Sequence, residues 1–192
     1  MGIFYCNMSN QFIITGLPRS RTAWLSALFC DRDVVCFHEL INKFASLELM
    51  KEYIDSLHYK YVGISDSSIG IRKNFYIDNF KYVPFLIIKR DKDEVVKSFS
   101  KVSGLTQKQN AETINLIESG INEIKQNCDF LEVEYNDLNN EETLKLIFEY
   151  CAPEINFDRN KLSIFQNLSI TQHRAKVLSE MDIETNILNN IN

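Results

Sequence analysis

Apolar residues in this chain fall into short, almost uninterrupted runs separated by longer segments in which they recur every three or four positions. Phe12-Ile13-Ile14, Val34-Val35-Cys36-Phe37, Tyr61-Val62-Gly63-Ile64, Pro84-Phe85-Leu86-Ile87-Ile88 and Phe130-Leu131-Glu132-Val133 have strand length. The continuous apolar character of Pro84-Phe85-Leu86-Ile87-Ile88 suits a buried parallel strand, and Val34-Val35-Cys36-Phe37 reads as a second buried one. Between them, residues 42–57 carry helical spacing in Phe44, Leu47, Leu49, Met50, Tyr53, Ile54 and Leu57, and residues 106–126 read as a second helix despite Gly120. Asp91 and Glu94 have capping-box spacing, which predicts a helix starting at Asp91 with Val95, Val96, Phe99 and Val102 on its buried side. Residues 141–151 form a further helix, stopped by Pro153. Five strands alternating with helical segments give an α/β fold in three layers, a mostly parallel five-stranded sheet flanked by helices.

The first strand breaks at Gly16-Leu17-Pro18, and the chain restarts as an apolar helix through Ala23-Trp24-Leu25. A strand–loop–helix turn of this kind aims backbone N–H groups and the positive end of a helix dipole at one point, which favours a phosphate or sulfate. Arg19 and Arg21 add two guanidinium forks for anionic oxygens. A Walker-type loop needs a second glycine and then Lys-Ser/Thr, whereas Arg21, Thr22 and Ala23 stand at those positions, so ordinary ATP or GTP hydrolysis is disfavoured.

The segment resembles the 5'-phosphosulfate loop of the sulfotransferase family, Pro-Lys/Arg-Ser-Gly-Thr-Thr/Ser-Trp-Leu, at Pro18, Arg19, Ser20, Thr22, Trp24 and Leu25. It departs where Arg21 replaces glycine and Ala23 replaces the second hydroxyl residue. Glycine admits a positive φ or a close approach to the anion, so Arg21 must either tolerate that conformation or redirect the loop. A second resemblance is the family's Arg-Asp-Pro-x-Asp-Val-x-x-Ser segment, which grips a 3'-phosphate through its Arg and Ser. Those roles fall here on Arg90 and Ser98, and the family's proline is Lys92. Ser98 lies two turns into the helix, about 10 Å along its axis. Glu134-Tyr135-Asn136-Asp137-Leu138 is similar to the family's Tyr-Glu-Asp-Leu landmark.

This resemblance spans roughly residues 11–140 and implies a P-loop-like fold, in the manner of compact bacterial and phage-type members. It implies a sulfotransferase that takes 3'-phosphoadenosine 5'-phosphosulfate (PAPS) as donor and a small-molecule hydroxyl or amine as acceptor. Pro18, Arg19, Ser20, Arg21, Thr22, Ala23 and Trp24 would hold the donor together with Arg90 and Ser98, and no metal is expected. Arg19 would also stabilise the charge of the transferring group. Trp24 either stacks on the adenine or packs the first helix. For the base that takes the acceptor's proton, Glu39 ranks first and His38 second, because both follow the second strand at the sheet edge where ligands bind in open α/β folds. Asp66, just after the third strand, is a further candidate or a turn residue. Two other readings remain: a non-catalytic nucleotide-binding protein of the same fold, and a small-molecule kinase with a degenerate phosphate loop.

Composition fits without choosing. The 192 residues suit one compact domain over 1–192, with its core at about 11–151 and a helical tail over 152–192. The net charge of −5 argues against a nucleic-acid surface, while Arg19, Arg21, Arg72, Lys73, Lys89, Arg90 and Lys92 fall in or near loops and suggest a local basic pocket. Five cysteines without regular spacing read as reduced thiols, and no paired His or Cys-x-x-Cys spacing marks a metal. With no apolar stretch of membrane length and no signal-peptide pattern, the expectation is a cytoplasmic protein. Gln172-His173-Arg174-Ala175-Lys176 reads as a solvated helix face, and residues 186–192 as a frayed end.

Overall fold

A computed structural model describes residues 10–167. The elements in chain order are β1 (Asn10–Gly16), α1 (Thr22–Phe29), β2 (Val34–His38), α2 (Leu47–Asp55), β3 (Tyr61–Ser65), α3 (Lys73–Phe80), β4 (Phe85–Lys89), α4 (Lys92–Phe99), α5 (Gln107–Asn127), β5 (Phe130–Glu134), α6 (Glu141–Cys151) and α7 (Arg159–Asn167). Short 3-10 turns at Leu40–Lys43, Ile69–Arg72 and Tyr135–Asn139 follow β2, β3 and β5.

The five strands form one sheet in the order β2-β3-β1-β4-β5, and every strand pairing among the described residues is parallel, so the expected α/β architecture is present. Strand periodicity sorts the apolar runs into two cores. Phe12, Ile14, Cys36, Leu86 and Ile88 face α1, α6 and α7, whereas Ile13, Val35, Phe37, Phe85 and Ile87 face α2, α3, α4 and α5. Burial on both faces is why β2, β3 and β4 read as continuous apolar runs, whereas the edge strand β5 buries only Val133 and leaves Phe130 exposed.

This topology fixes where a ligand belongs. From β1 the chain leaves towards β2 on one side, and from β4 it leaves towards β5 on the other, although β1 and β4 are hydrogen-bonded neighbours. Connections that diverge in this way open a crevice at the carboxyl ends of the two strands, the ligand position of doubly wound sheets. The loop after Gly16 and the segment starting at Arg90 both emerge there.

Several helical boundaries differ from the pattern. The helix expected over 42–57 is split, because Ser46 caps α2 by accepting from the Leu49 N–H, and Phe44 is extended. Leu49 is 48% exposed while Met50 and Ile54 are buried. Asp91 does cap α4, accepting from Glu94 N–H at 2.9 Å, but α4 ends at Phe99. Val102 lies beyond it and is 60% exposed, in place of the expected buried position. Helix α5 begins at a complete capping box formed by Thr106 and Gln109. Its Gly120 is a contact and not a weakness: a Cβ there would lie 1.8 Å from the carbonyl oxygen of Gly70, in the 3-10 turn after β3. Helix α6 spans Glu141–Cys151 as the periodicity requires. The segments 172–176 and 186–192 lie outside the described residues.

Candidate functional site

Strand β1 ends at Gly16, where a Cβ would stand 2.6 Å from the carbonyl oxygen of Ile88 on β4, so only glycine permits this approach of the two strands. Beyond it, Pro18, Ser20 and Thr22 are buried, and Arg19 and Arg21 are half-buried. The loop turns through two left-handed residues, Arg19 at φ 69° and Arg21 at φ 61°. Left-handed residues within a tight turn gather peptide N–H groups into an anion-binding concavity. Arg21 therefore takes a left-handed conformation that glycine adopts without steric cost. Its carbonyl accepts from the Leu25 N–H at 3.0 Å and opens α1. Ser20 Oγ is fully buried with no hydrogen-bond partner among the described residues. An orphaned hydroxyl in such a loop fits an incoming anion. Ala23 packs in the core, leaving only its backbone for a ligand.

The second motif closes on this loop. Arg90 donates to the carbonyl oxygen of Arg19, and Arg19 Nε donates to Ser98 Oγ at 3.4 Å, joining segments 71 and 79 residues apart. Arg90 Nε lies 3.6 Å from Glu94 Oε2. The Arg90 guanidinium stands 4.0 Å from the ring centre of Tyr135, and that of Arg21 stands 4.8 Å from the same centre. Arg21 is held further by Asn139 Oδ1 at 2.8 Å and lies 6.0 Å from the Trp24 ring. Trp24 packs edge-on against Phe165 of α7, centroids 6.2 Å apart, so its ring does the packing work of α1. Tyr135 and Asn139 carry no local sequence signal beyond the landmark after β5, and their contacts with the two arginines emerge only from the fold.

The acceptor-side candidates lie one and two strands away from β1. His38, the last residue of β2, is buried, and its Nε2 lies 3.5 Å from Glu39 Oε1. Glu39 is half-exposed, has φ 52° and receives Asn42 Nδ2 at 3.4 Å. Ser65 ties this corner to the anion loop: its carbonyl accepts from Glu39 N–H at 2.8 Å, and its hydroxyl donates to the Thr22 carbonyl at 2.9 Å. Among the described residues, Arg19, Arg21 and Glu39 are the non-glycine residues with positive φ. Such backbone strain concentrates at functional sites.

Asp66 follows β3 and is buried. Its N–H donates to the Ile14 carbonyl at 3.0 Å, its carbonyl accepts from Thr15 Oγ1 at 2.9 Å, and its Oδ1 accepts from Ser68 N–H at 2.6 Å. Burial pushes its carboxyl above the usual range, and Glu39 adds to this, while the Ser68 hydrogen bonds and the Arg72 charge oppose it. Asp66 is thus both a turn residue and a carboxylate of raised proton affinity.

The seven basic residues do not form one pocket. Lys73 pairs with Glu123, Lys89 with Glu134 at 2.7 Å and Lys92 with Glu118 at 2.6 Å, and Arg72 donates to Ser68 beside Asp66. Arg19, Arg21 and Arg90 are the ones gathered at the loop. A cavity of about 690 Å³ lies at the opposite sheet edge, lined by Gln11, Lys51, Asp55, Tyr82, Pro84 and Tyr150, and takes no part in this site. Among the described residues, Cys30, Cys36, Cys128 and Cys151 form no disulfide with one another. Among the described residues no group of His, Cys, Asp or Glu is arranged to hold a metal ion, and no helix is long and apolar enough to cross a membrane.

No family model and no curated protein matches this chain. Solved structures do match it in fold. The sulfotransferase domain from the curacin biosynthetic pathway superposes with a TM-score of 0.59 at 13% identity, covering 88% of this chain and 82% of that one. The sulfotransferase domain from the Synechococcus PCC 7002 olefin synthase gives a TM-score of 0.56 at 14% identity, covering 91% and 94%. The fold expected from the two short motifs is therefore the fold of sulfotransferase domains.

Proposed function

We propose that this protein is a sulfotransferase that moves a sulfuryl group from PAPS to a hydroxyl or amine acceptor. The observation that carries the reading is the junction of Arg90, Arg19 and Ser98 at the β1/β4 crevice, where two motifs distant in sequence make one anion-binding corner. One anion fits the loop of residues 16–22, with the orphaned Ser20 hydroxyl, the loop N–H groups and Arg19. A second fits Arg90 and Ser98. Two such sites at one crevice suit a nucleotide phosphorylated at both the 3' and 5' positions.

Bound there, the donor supplies an activated sulfur–oxygen bond. Arg19, the amides of the loop and Thr22 hold the negative charge that grows on the leaving 5'-phosphate as that bond breaks. Glu39 receives the proton that the acceptor's oxygen or nitrogen loses as it bonds to sulfur, and His38 beside it orients the carboxylate. The products are the sulfated acceptor and 3'-phosphoadenosine 5'-phosphate.

A non-catalytic nucleotide-binding role is the second reading, favoured by the side chain of Arg21 at a position where the sulfotransferase loop has none. Incubation with isotopically labelled PAPS and a panel of small alcohols and amines separates the two. Repeated turnover to sulfated product supports transfer. Stoichiometric nucleotide, released only on denaturation, supports binding alone.

A further inference from the structure

Tyr135 opens the 3-10 turn after β5, and its ring is the common neighbour of two cations. The Arg90 guanidinium lies 4.0 Å and that of Arg21 4.8 Å from its centre, both well inside the range of attraction between a guanidinium and an aromatic face. The Tyr135 ring also packs against the core beside α1 and α6. What the residue contributes here is therefore its ring.

The remaining restraints on Arg90 are thin. It donates to the Arg19 carbonyl, and its carboxylate neighbour Glu94 stands 3.6 Å away with a side chain 62% exposed. Arg21 is held by the neutral amide of Asn139. Two like charges brought to one ring repel each other. They stay together because the negative face of the ring attracts both, and the arrangement is completed by an anion placed between them.

We propose that Tyr135 is a positioning residue for the donor site: its ring fixes the Arg90 guanidinium, with Arg21 beside it, in the orientation that receives the 3'-phosphate. This rests on the reading of the crevice as a site for a 3',5'-bisphosphorylated nucleotide. Tyr135 itself need touch no ligand. The turn after β5, a structural landmark in the sequence, thereby becomes the third wall of the site.

The test is calorimetric titration of the full chain with 3'-phosphoadenosine 5'-phosphate and, in parallel, with AMP, which shares the base and the 5'-phosphate. The ratio of the two affinities isolates the 3'-phosphate. Tyr135→Phe keeps the ring and is expected to hold the ratio within twofold of the wild type. Tyr135→Leu is expected to lower it about tenfold. Because the leucine variant also alters packing, the same position is filled with pentafluorophenylalanine, which preserves shape but removes the negative ring face. A lowered ratio with an unchanged melting temperature is the expected result, and a purely structural role would not produce it. A ratio unchanged by fluorination overturns the inference while leaving the donor site intact. Failure of the wild type to bind the bisphosphate overturns the donor reading, and this inference falls with it.

Discussion

Arg90 donates a hydrogen bond to the backbone carbonyl of Arg19, so the segment after β4 is latched to the loop after β1 across the crevice of the sheet. The latch couples the two proposed anion positions, and it makes Arg90 the most informative single residue to remove. Arg90→Ala is expected to weaken 3'-phosphoadenosine 5'-phosphate binding by about 2 kcal/mol, the worth of charge-assisted hydrogen bonds to a phosphate. AMP affinity changes little. Equal losses for both nucleotides, measured by calorimetry, would remove Arg90 from the 3'-phosphate.

Arg21 sits at φ 61°, where a side chain is costly and glycine is not. Arg21→Gly and Arg21→Ala lose the same contacts with Tyr135, Trp24 and Asn139 and differ only in the backbone. The glycine variant is expected to be more stable than the alanine variant by about 1 kcal/mol in chemical denaturation. Equal stabilities would mean that the loop relaxes out of the left-handed conformation.

Glu39→Gln removes the proposed proton acceptor while keeping the shape and the contact with Asn42. Transfer is expected to fall at least tenfold, with bisphosphate affinity within twofold of the wild type. Unchanged transfer would exclude Glu39 as the base.

Asp66 gives a pH-dependent signature. Burial raises its carboxyl above the ordinary value of about 3.9, so over the window between the two values the folded state holds more protons than the unfolded one. Stability then falls as pH rises through that window, and the cost stays in force above it. Asp66→Asn is expected to raise the melting temperature at pH 8 and to lose that gain as pH drops below about 4. The groups facing Asp66 include Arg72, Glu39 and Tyr76, so the comparison is made at matched ionic strength. A gain independent of pH would contradict the raised carboxyl.

Gly120→Ala reverses the usual helix preference. Alanine ordinarily stabilises a helix interior by about 1 kcal/mol over glycine. Here the new methyl would stand 1.8 Å from the Gly70 carbonyl oxygen, forcing α5 away from the turn after β3. A loss of about 2 kcal/mol or more is expected in urea denaturation.

The sheet and the two loops at the β1/β4 crevice were legible in the sequence because strands buried on both faces, as β2 to β4 are, must be apolar, and because Asp91 caps α4 in a purely local way. Helix α3 was not. Its sequence Lys-Asn-Phe-Tyr-Ile-Asp-Asn-Phe buries only Tyr76 and Phe80, too few positions to establish a period. The helix over 42–57 was drawn too long because the apolar spacing continues through Phe44, while Ser46, a stronger local signal, starts a new helix behind it. Sequence marked Arg21 as the position in question but could not choose between tolerating the glycine conformation and moving the loop. That choice depends on Asn139 and Tyr135, more than a hundred residues downstream. Tyr135 escaped for the same reason: its partners are brought to it by the sheet order β1-β4-β5 alone.

The proposed β1/β4 crevice takes two anions of one nucleotide. Calorimetric titration with 3'-phosphoadenosine 5'-phosphate, beside AMP and magnesium ATP, tests it most directly. Micromolar binding of the bisphosphate is expected, at least tenfold tighter than either competitor. Preference for ATP, or no binding of the bisphosphate, would contradict it and would leave the chain with the fold of a sulfotransferase but another use for its loop.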